Sequence, residues 1–129
     1  MQQLSLEDIN DYYLEKRFQG TVKEYTHTAE LNSKSNYLRV TLVLDGFLIK
    51  EIKFTSDGSV LTQGLMEFMC ESIQGKDVGY AFRFDPLRYI NFDIMPGRAD
   101  CANLPHRTVK EAIRETYQRW KKTGKRTSK

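Results

Sequence analysis

The chain of 129 residues has no long apolar run and none of the common catalytic motifs. Runs such as Leu42-Val43-Leu44 are far shorter than the ~20 apolar residues of a membrane span. No P-loop, GxGxxG, HExxH or CxxC motif is present, which excludes the commonest phosphate, dinucleotide, zinc-protease and dithiol sites. Two histidines without a nucleophile-elbow motif do not make a serine triad. We therefore expect no enzymatic activity and no membrane partner.

Cysteine, proline and glycine are also scarce, with 2, 3 and 8 residues respectively. Two cysteines are too few for a disulfide framework, although they could pair with each other, so we expect a reduced, cytoplasmic protein. A hydrophobic fraction of 40% excludes intrinsic disorder and low-complexity repeats. Residues 1–8 lack the basic and apolar regions of a secretory signal. The length predicts one domain over 1–122, followed by a basic tail, 123–129.

Charge is unevenly distributed along the chain. Residues 1–96 carry 10 basic and 14 acidic side chains, a net charge of −4, whereas residues 97–129 carry 10 basic and 3 acidic ones, a net charge of +7. The basic C-terminus could bind an acidic protein surface, or it could be a solvated terminus. Nucleic-acid binding is favoured only by this charge and by Tyr117 and Trp120, whose place on an apolar helix stripe is more typical of a core. We therefore expect no nucleic-acid partner.

Alternation of apolar and polar residues predicts three strands. They lie over residues 21–31, 37–44 and 47–54. Between the last two, Asp45-Gly46 is a typical two-residue hairpin turn. In the last strand, Leu48, Ile52 and Phe54 share the predicted inner face.

Helical periodicity predicts three helices. They lie over residues 5–17, about 57–74 and about 105–122. Ser5 can cap the first helix, Ser56 or Asp57 the second, and Asn103 the third, with Pro105 in its first turn. Strands followed by helices indicate an α+β fold, in which helices cover one face of a three-stranded antiparallel sheet.

The two cysteines have different surroundings in the sequence. Cys70 lies on the apolar face of the second predicted helix, which is typical of core packing. Cys101 lies between a Pro-Gly break and the last predicted helix, near Arg98 and Arg107. A helix N-terminus and nearby cations lower the pKa of a thiol and favour an exposed thiolate. An inert, half-buried cysteine is the alternative that the residues leave open.

The two histidines favour structural roles. His27 falls within the first predicted strand, and His106 falls in the first turn of the last predicted helix. Neither has a neighbouring nucleophile or carboxylate in a catalytic pattern, so we interpret both as structural or solvated residues.

Four segments resemble one protein family. Residues 11–20 (DYYLEKRFQG) are similar to a DHYxxPRNxG start, the hairpin 38–54 to a VxxGxIxDxxF pattern, and 71–76 (ESIQGK) to xxVxGK. Residues 96–104 (PGRADCANL) are similar to an RxxCxxL segment before a long final helix. On these residues nearly the whole chain resembles the NifU N-terminal-like (IscU/SufU-type) scaffold proteins of iron–sulfur cluster assembly. The resemblance implies their fold, with an N-terminal helix and a long C-terminal helix.

The family's metal site uses three cysteines, an aspartate near the first of them and often a histidine before the third. In this chain the first cysteine position is Lys34, and the aspartate position is Asn36. The second cysteine position is Ser59, which follows a glycine as in the family. Only the third cysteine is kept, as Cys101, and Asp100 stands where the histidine often lies.

The resemblance implies a role in iron–sulfur cluster assembly, with an iron–sulfur cluster or zinc as the bound group. A cluster or a structural zinc ion takes about four strong ligands, mainly thiolates, and a protonated lysine repels a metal. A single chain is therefore expected to bind neither tightly, and Cys101, assisted by Asp100, is left to accept sulfur or to supply one ligand. By the same resemblance the partner is a cysteine desulfurase or another assembly protein. The family's chaperone-binding LPPVK segment is replaced by residues 94–98 (IMPGR).

A different interpretation follows from the same losses. The chain could be a degenerate relative that binds no metal and acts as a protein-interaction or regulatory module.

Overall fold

A computed structural model describes residues 3–33 and 36–124, and the predicted α+β fold is confirmed there. The helices are α1 (Leu6–Glu15), α2 (Val60–Ile73), α3 (Val78–Arg83) and α4 (Ala99–Arg119), and the strands are β1 (His27–Ser33), β2 (Asn36–Asp45) and β3 (Leu48–Ser56). Short 3₁₀ turns cover Pro86–Tyr89 and Pro96–Arg98, and a π-helical turn, Trp120–Gly124, follows α4. Lys34 and residues 125–129 of the predicted basic tail lie outside the described residues. None of the described helices combines the length and the apolar character that crossing a membrane requires.

The three strands form one antiparallel sheet in the order β1-β2-β3. The predicted hairpin is confirmed, and Gly46 has the positive φ of 64° that its turn requires. A register shift between Val43 and Leu44 changes the pairing next to the turn. As a result Ile49 points into the core, whereas Leu48 is 51% exposed, so the predicted inward position of Leu48 is wrong.

The first strand is shorter than the alternation of residues predicts. It begins at His27 rather than at residue 21. The chain before it contacts the other edge of the sheet, where the Phe54 amide donates to the Phe18 carbonyl (2.9 Å) and the Gly20 amide donates to the Phe54 carbonyl (2.8 Å). Residues 18–20 therefore cover part of the β3 edge, which would otherwise expose unpaired backbone groups.

The inner face of the sheet is the floor of the hydrophobic core. Its fully buried side chains are Leu38, Val40 and Leu42 of β2, with Ile49, Ile52 and Phe54 of β3. Helices α2 and α4 pack over this face, and α1 packs on α2. A three-stranded sheet needs such a cover, because its apolar face would otherwise be exposed to water.

Side-chain caps fix the starts of α1 and α2. Ser5 caps α1, as predicted, in a capping box with Asp8. The cap of α2 is Ser59, whose hydroxyl accepts from the Thr62 amide, so the predicted caps Ser56 and Asp57 are wrong. Asp57 instead accepts from the Tyr37 amide at 3.0 Å.

Helix α4 begins at Ala99, about one and a half turns earlier than the sequence predicts. The predicted cap Asn103 and the predicted first-turn Pro105 both lie inside it, and no side chain caps its start. The 3₁₀ turn Pro96–Arg98 leads directly into the helix. Cys101 is therefore a residue of the first helical turn rather than of a preceding loop.

A buried carboxylate holds the end of α1 against α2. Glu67 is 1% exposed and accepts hydrogen bonds from the amides of Arg17 (3.0 Å) and Phe18 (3.1 Å). Burial raises the pKa of Glu67 above its usual value, and the two amide donors oppose that rise. These bonds stabilise the corner at Lys16, which has a left-handed φ of 51°.

We predict that Gly64→Ala destabilises the fold by about 2 kcal/mol, because the added methyl group overpacks the contact between α1 and α2. A Cβ at this position would lie 2.4 Å from the Ile9 carbonyl oxygen, which belongs to the backbone and cannot rotate away. Urea unfolding followed by circular dichroism measures the effect. Gly97→Ala is the matched control, since its Cβ would meet no atom within 4 Å. Equal stability of the two variants would contradict the close approach of α1 and α2.

Candidate functional site

A cleft of about 390 Å³ lies where the end of β1 and the starts of β2, α2 and α4 meet. Its lining residues are Ser33, Asn36, Asp57, Gly58, Ser59, Gly97, Arg98, Asp100 and Cys101. Four of the five candidate positions predicted from the sequence are among them: Asn36, Ser59, Asp100 and Cys101. The fifth, Lys34, lies outside the described residues. Positions separated by more than 60 residues in the sequence thus share one cleft.

Cys101 lies at the inner wall of this cleft. Its side chain is buried, with 7% of the residue exposed. The Cys101 thiol donates to the Arg98 carbonyl oxygen at 3.3 Å and lies 3.9 Å from the Ser59 hydroxyl. The predicted exposure of the thiol is therefore wrong: Cys101 lines the cleft but is buried, which agrees with the half-buried alternative.

Pro105 explains how the start of α4 is fixed. A residue at this position would normally donate its amide to the Cys101 carbonyl four residues earlier, but proline has no amide hydrogen. The Cys101 carbonyl instead accepts from the hydroxyl of Thr62 at 3.1 Å. Thr62 is fully buried in α2, so this bond ties the first turn of α4 to the first turn of α2.

Backbone and side-chain hydrogen bonds connect the other walls of the cleft. The Asn36 side-chain oxygen accepts from the Ser59 amide at 2.9 Å, and this bond joins β2 to the cap of α2. A Cβ on Gly58 would lie 2.8 Å from the same oxygen, so glycine allows the two segments to approach. Asn36, Gly58 and Ser59 therefore hold the walls of the cleft together, which is a structural role that the family resemblance does not reveal.

The donor atoms in the cleft fit a metal poorly. Within the described part of the chain, no group of three or more cysteine, histidine, aspartate or glutamate residues could hold a metal ion. Cys101 supplies one thiol, Asp100 is an exposed carboxylate, and Asn36 and Ser59 offer only neutral oxygen atoms. Four thiolates or imidazoles, which zinc and iron–sulfur clusters prefer, are not assembled by the described residues.

The other cysteine and both histidines lie outside the cleft lining. Cys70 is fully buried in α2, and burial raises the pKa of its thiol well above the usual value. His27 lies beside the Thr116 hydroxyl (3.3 Å), and His106 lies beside the Phe84 carbonyl (2.6 Å). Burial lowers the pKa of both histidines, so both are mainly neutral at pH 7. Their contacts agree with the structural roles that the sequence predicts.

An apolar patch adjoins the cleft and shares Arg98 with it. The patch surrounds a pocket of about 240 Å³ whose apolar lining is Leu6, Leu61, Phe92, Ile94 and Met95. Leu6 is 62% exposed and Met95 is 69% exposed. Contiguous exposed apolar side chains of this kind are typical of surfaces that contact another protein.

Sequence reasoning missed Thr62 as a residue of the site. A threonine in a predicted helix has no special signal by itself. The signal that could have found it is the spacing of Cys101 and Pro105. Because proline has no amide hydrogen, the Cys101 carbonyl lacks its usual donor in a helix and needs one from another segment.

We predict that Thr62→Val lowers the free energy of unfolding by about 2 kcal/mol, because the buried Cys101 carbonyl loses its donor. In a Pro105→Ala background the loss should be at least about 1 kcal/mol smaller, since the new amide at position 105 can donate to that carbonyl. Thermal and urea unfolding of the four proteins of this double-mutant cycle measure both values. Strictly additive effects would show that the Thr62 hydroxyl does not replace the missing amide.

No protein-family model matches this chain, and no curated protein matches it. Solved structures do. A SufU from Fervidobacterium islandicum AW-1, described as an iron–sulfur cluster assembly scaffold protein for the SUF system, is 24% identical, with a TM-score of 0.73. The match covers 83% of this chain and 94% of the SufU chain.

Two further structures agree with this match. The N-terminal part of a nitrogen-fixing NifU-like protein from Brucella abortus has a TM-score of 0.67 at 13% identity, and the match covers 87% of this chain and 93% of that one. A hypothetical protein has a TM-score of 0.68 at 18% identity, with coverage of 84% and 96%. The fold that the sequence resemblance implies is confirmed: the chain has the fold of SufU and NifU-like proteins.

Proposed function

We propose that the protein is a scaffold-like component of iron–sulfur cluster assembly that takes part in sulfur or cluster traffic through Cys101 and is not itself an enzyme. One observation carries the proposal. On the fold of SufU and NifU-like proteins, the only cysteine in the cleft lining is Cys101, 3.9 Å from the Ser59 hydroxyl. The partner is a cysteine desulfurase or another assembly protein, and the expected compartment is the reducing cytoplasm.

Sulfur transfer to Cys101 needs only the thiol and a persulfide donor. The Cys101 thiolate attacks the terminal sulfur of a cysteine persulfide on the desulfurase. A new S–S bond forms on Cys101, the S–S bond of the donor breaks, and its electron pair leaves with the donor thiolate. The proton lost by Cys101 goes to solvent, and Asp100, the preceding residue in the chain, is the candidate to assist.

Binding of a complete cluster requires more donors than the described residues provide. A [2Fe–2S] cluster takes about four strong ligands, and the cleft offers one thiol. In this proposal Cys101 supplies at most one ligand to a cluster that a second protein also holds. The cluster is then cargo that passes between proteins, and the apolar patch beside the cleft is where the second protein would dock.

We predict that Cys101→Ser lowers persulfide formation at least about tenfold, because the serine hydroxyl does not attack a persulfide sulfur at neutral pH. The measurement uses a cysteine desulfurase fed with radiolabelled cysteine, followed by non-reducing electrophoresis of the acceptor protein. Cys70→Ala is the matched control, since its thiol is fully buried and should accept no sulfur. Equal labelling of Cys101→Ser and wild type would refute the role of Cys101.

The alternative function is a protein-interaction or regulatory module that binds no metal. The observation that favours it is the exposed apolar patch of Leu6 and Met95 beside a cleft with a poor donor set. Such a protein would bind the same assembly partners while carrying neither sulfur nor metal. This alternative predicts that wild type and Cys101→Ser bind the desulfurase equally well and that Leu6→Glu binds it more weakly.

We predict that restoring the family's ligands creates a zinc site. In the variant Lys34→Cys/Asn36→Asp/Ser59→Cys, a thiol replaces the hydroxyl 3.9 Å from Cys101. Two thiolates on one tetrahedral zinc ion lie roughly 3.8 Å apart, so little movement is needed. We expect about one zinc per chain in the variant, by elemental analysis after anaerobic purification, and well under that in wild type.

Adding Cys101→Ser to this variant should lower its zinc content sharply, because one of the thiolates is lost. Stoichiometric metal in the wild type that is lost in Cys101→Ser would show that a second chain or other residues complete a metal site. The expectation that the wild-type protein binds no metal tightly would then be wrong. Absence of zinc from the restored variant would show that the introduced side chains do not complete a zinc site with Cys101.

A further inference from the structure

A second groove, away from Cys101, is lined by cations of three separate elements. It has a volume of about 440 Å³ and lies between α3, the 3₁₀ turn Pro86–Tyr89 and α4. Arg83, Arg88 and Lys110 contribute the cations. None of these three makes an ion pair with a described residue. Positive charges held together without counter-charges raise each other's energy, and an anionic partner would relieve this repulsion.

The acidic groups near the groove do not neutralise it. Asp85 is the acidic residue of the lining, and its carboxylate accepts from the Leu87 amide at 3.0 Å, as the cap of the 3₁₀ turn. Glu111 pairs with Arg114 at 3.4 Å on the exposed surface of α4. The groove therefore carries a net positive charge of about two, from three cations and one engaged carboxylate.

Aromatic rings support the cations. The Phe82 ring stacks on the Tyr117 ring with centroids 3.9 Å apart and planes 4° apart. The Lys110 ammonium lies 4.9 Å from the centre of the Phe82 ring, and the Arg114 guanidinium lies 5.7 Å from it. Because Tyr117 covers one face of Phe82, these cations occupy the other face. The Phe82 and Tyr117 rings thus position the cations, and Phe82 has no open face on which a nucleic-acid base could stack.

The positive charge continues beyond the groove, along α4 and into the π-helical turn that follows it. Arg114 lies one helical turn after Lys110, although it also pairs with Glu111. Lys121 lies in the π-helical turn that follows α4, and its ammonium is 5.7 Å from the centre of the Tyr117 ring. The distance from residue 110 to residue 121 along the helix is roughly 16 Å, about the length of five residues of extended chain. The cationic groove, defined as Arg83, Arg88 and Lys110 with this continuation, therefore matches a short extended segment in length.

We propose that the cationic groove binds a short acidic segment of a partner protein, with glutamate or aspartate carboxylates facing Arg83, Arg88 and Lys110. Charge complementarity identifies this occupant. A single-stranded nucleic acid would need open aromatic faces for its bases, and here the cations and the neighbouring ring cover the Phe82 faces. The proposal goes beyond sulfur traffic and does not depend on Cys101. It places the acidic-partner contact on the folded domain rather than on the basic tail.

The test uses the full chain and a fluorescein-labelled peptide of about six glutamates, with the corresponding glutamine peptide and an oligothymidine of similar length as comparisons. Fluorescence anisotropy at low salt measures affinity. Trp120, the chain's only tryptophan, lies 5.4 Å from the Arg83 guanidinium and reports binding locally through its emission. We expect the glutamate peptide to bind, to shift Trp120 emission, and to bind more weakly as salt rises.

Charge variants locate the binding site. Arg88→Glu/Lys110→Glu should weaken glutamate-peptide binding at least about tenfold, while Lys23→Glu/Lys50→Glu, with the same change in net charge, should weaken it less than about threefold. Lys125→Gln/Arg126→Gln/Lys129→Gln should retain binding within about threefold of wild type. Arg88→Gln/Lys110→Gln replaces the reversal variant if the latter unfolds in circular dichroism.

Four results would overturn the proposal. The first is no binding of the glutamate peptide to the wild type, and the second is equal weakening by the groove and control reversals. The third is loss of binding in the tail variant alone, which would place the contact on the tail. The fourth is tighter binding of oligothymidine than of the glutamate peptide, which would make the groove a nucleic-acid site.

Discussion

The inner face of a three-stranded sheet has to be covered, and this constraint organises the structure. Leu42, Ile52 and Phe54 on that face are fully buried. The helices α2 and α4 supply the cover, and covering the same face brings their first turns together at one end of the sheet. The Thr62 hydroxyl then satisfies the Cys101 carbonyl that Pro105 leaves without an amide donor. The position of Cys101 therefore follows from the packing of the core.

The cleft offers one thiol, from Cys101, among neutral oxygen atoms and one exposed carboxylate. Asn36 and Ser59 occupy positions where the resembling family has an aspartate and a cysteine, but here they hydrogen-bond to each other's segment and to the helix start. They keep the walls in place while contributing no strong metal ligand. In the proposed function, other proteins would supply the remaining donors. The exposed apolar patch and the cationic groove are two different surfaces on which such partners could be recognised.

Local patterns predicted the elements whose signals are local. The hairpin at Asp45-Gly46 and the cap at Ser5 were predicted because turn geometry and capping depend on a few adjacent residues. The start of α4 was predicted wrongly because Pro105 normally marks a first turn. Its tolerance inside this helix depends on Thr62, which is 43 residues away in the sequence. The inward position of Leu48 failed for a similar reason, since the bulge at Val43 shifts the register near the turn.

The sequence by itself determined the fold class, the order of the three strands and of the helices α1, α2 and α4, and the presence of one cysteine where the resembling family has three, because these depend on periodicity and on residue identity. The short helix α3 was not predicted. Only the tertiary structure decided that Cys101 is buried against Arg98 and Ser59, because a side chain's exposure depends on which segments pack around it. The same is true of the cationic groove. Its three charges come from different elements, and a linear sequence contains the charges but not the fold that brings them to one surface.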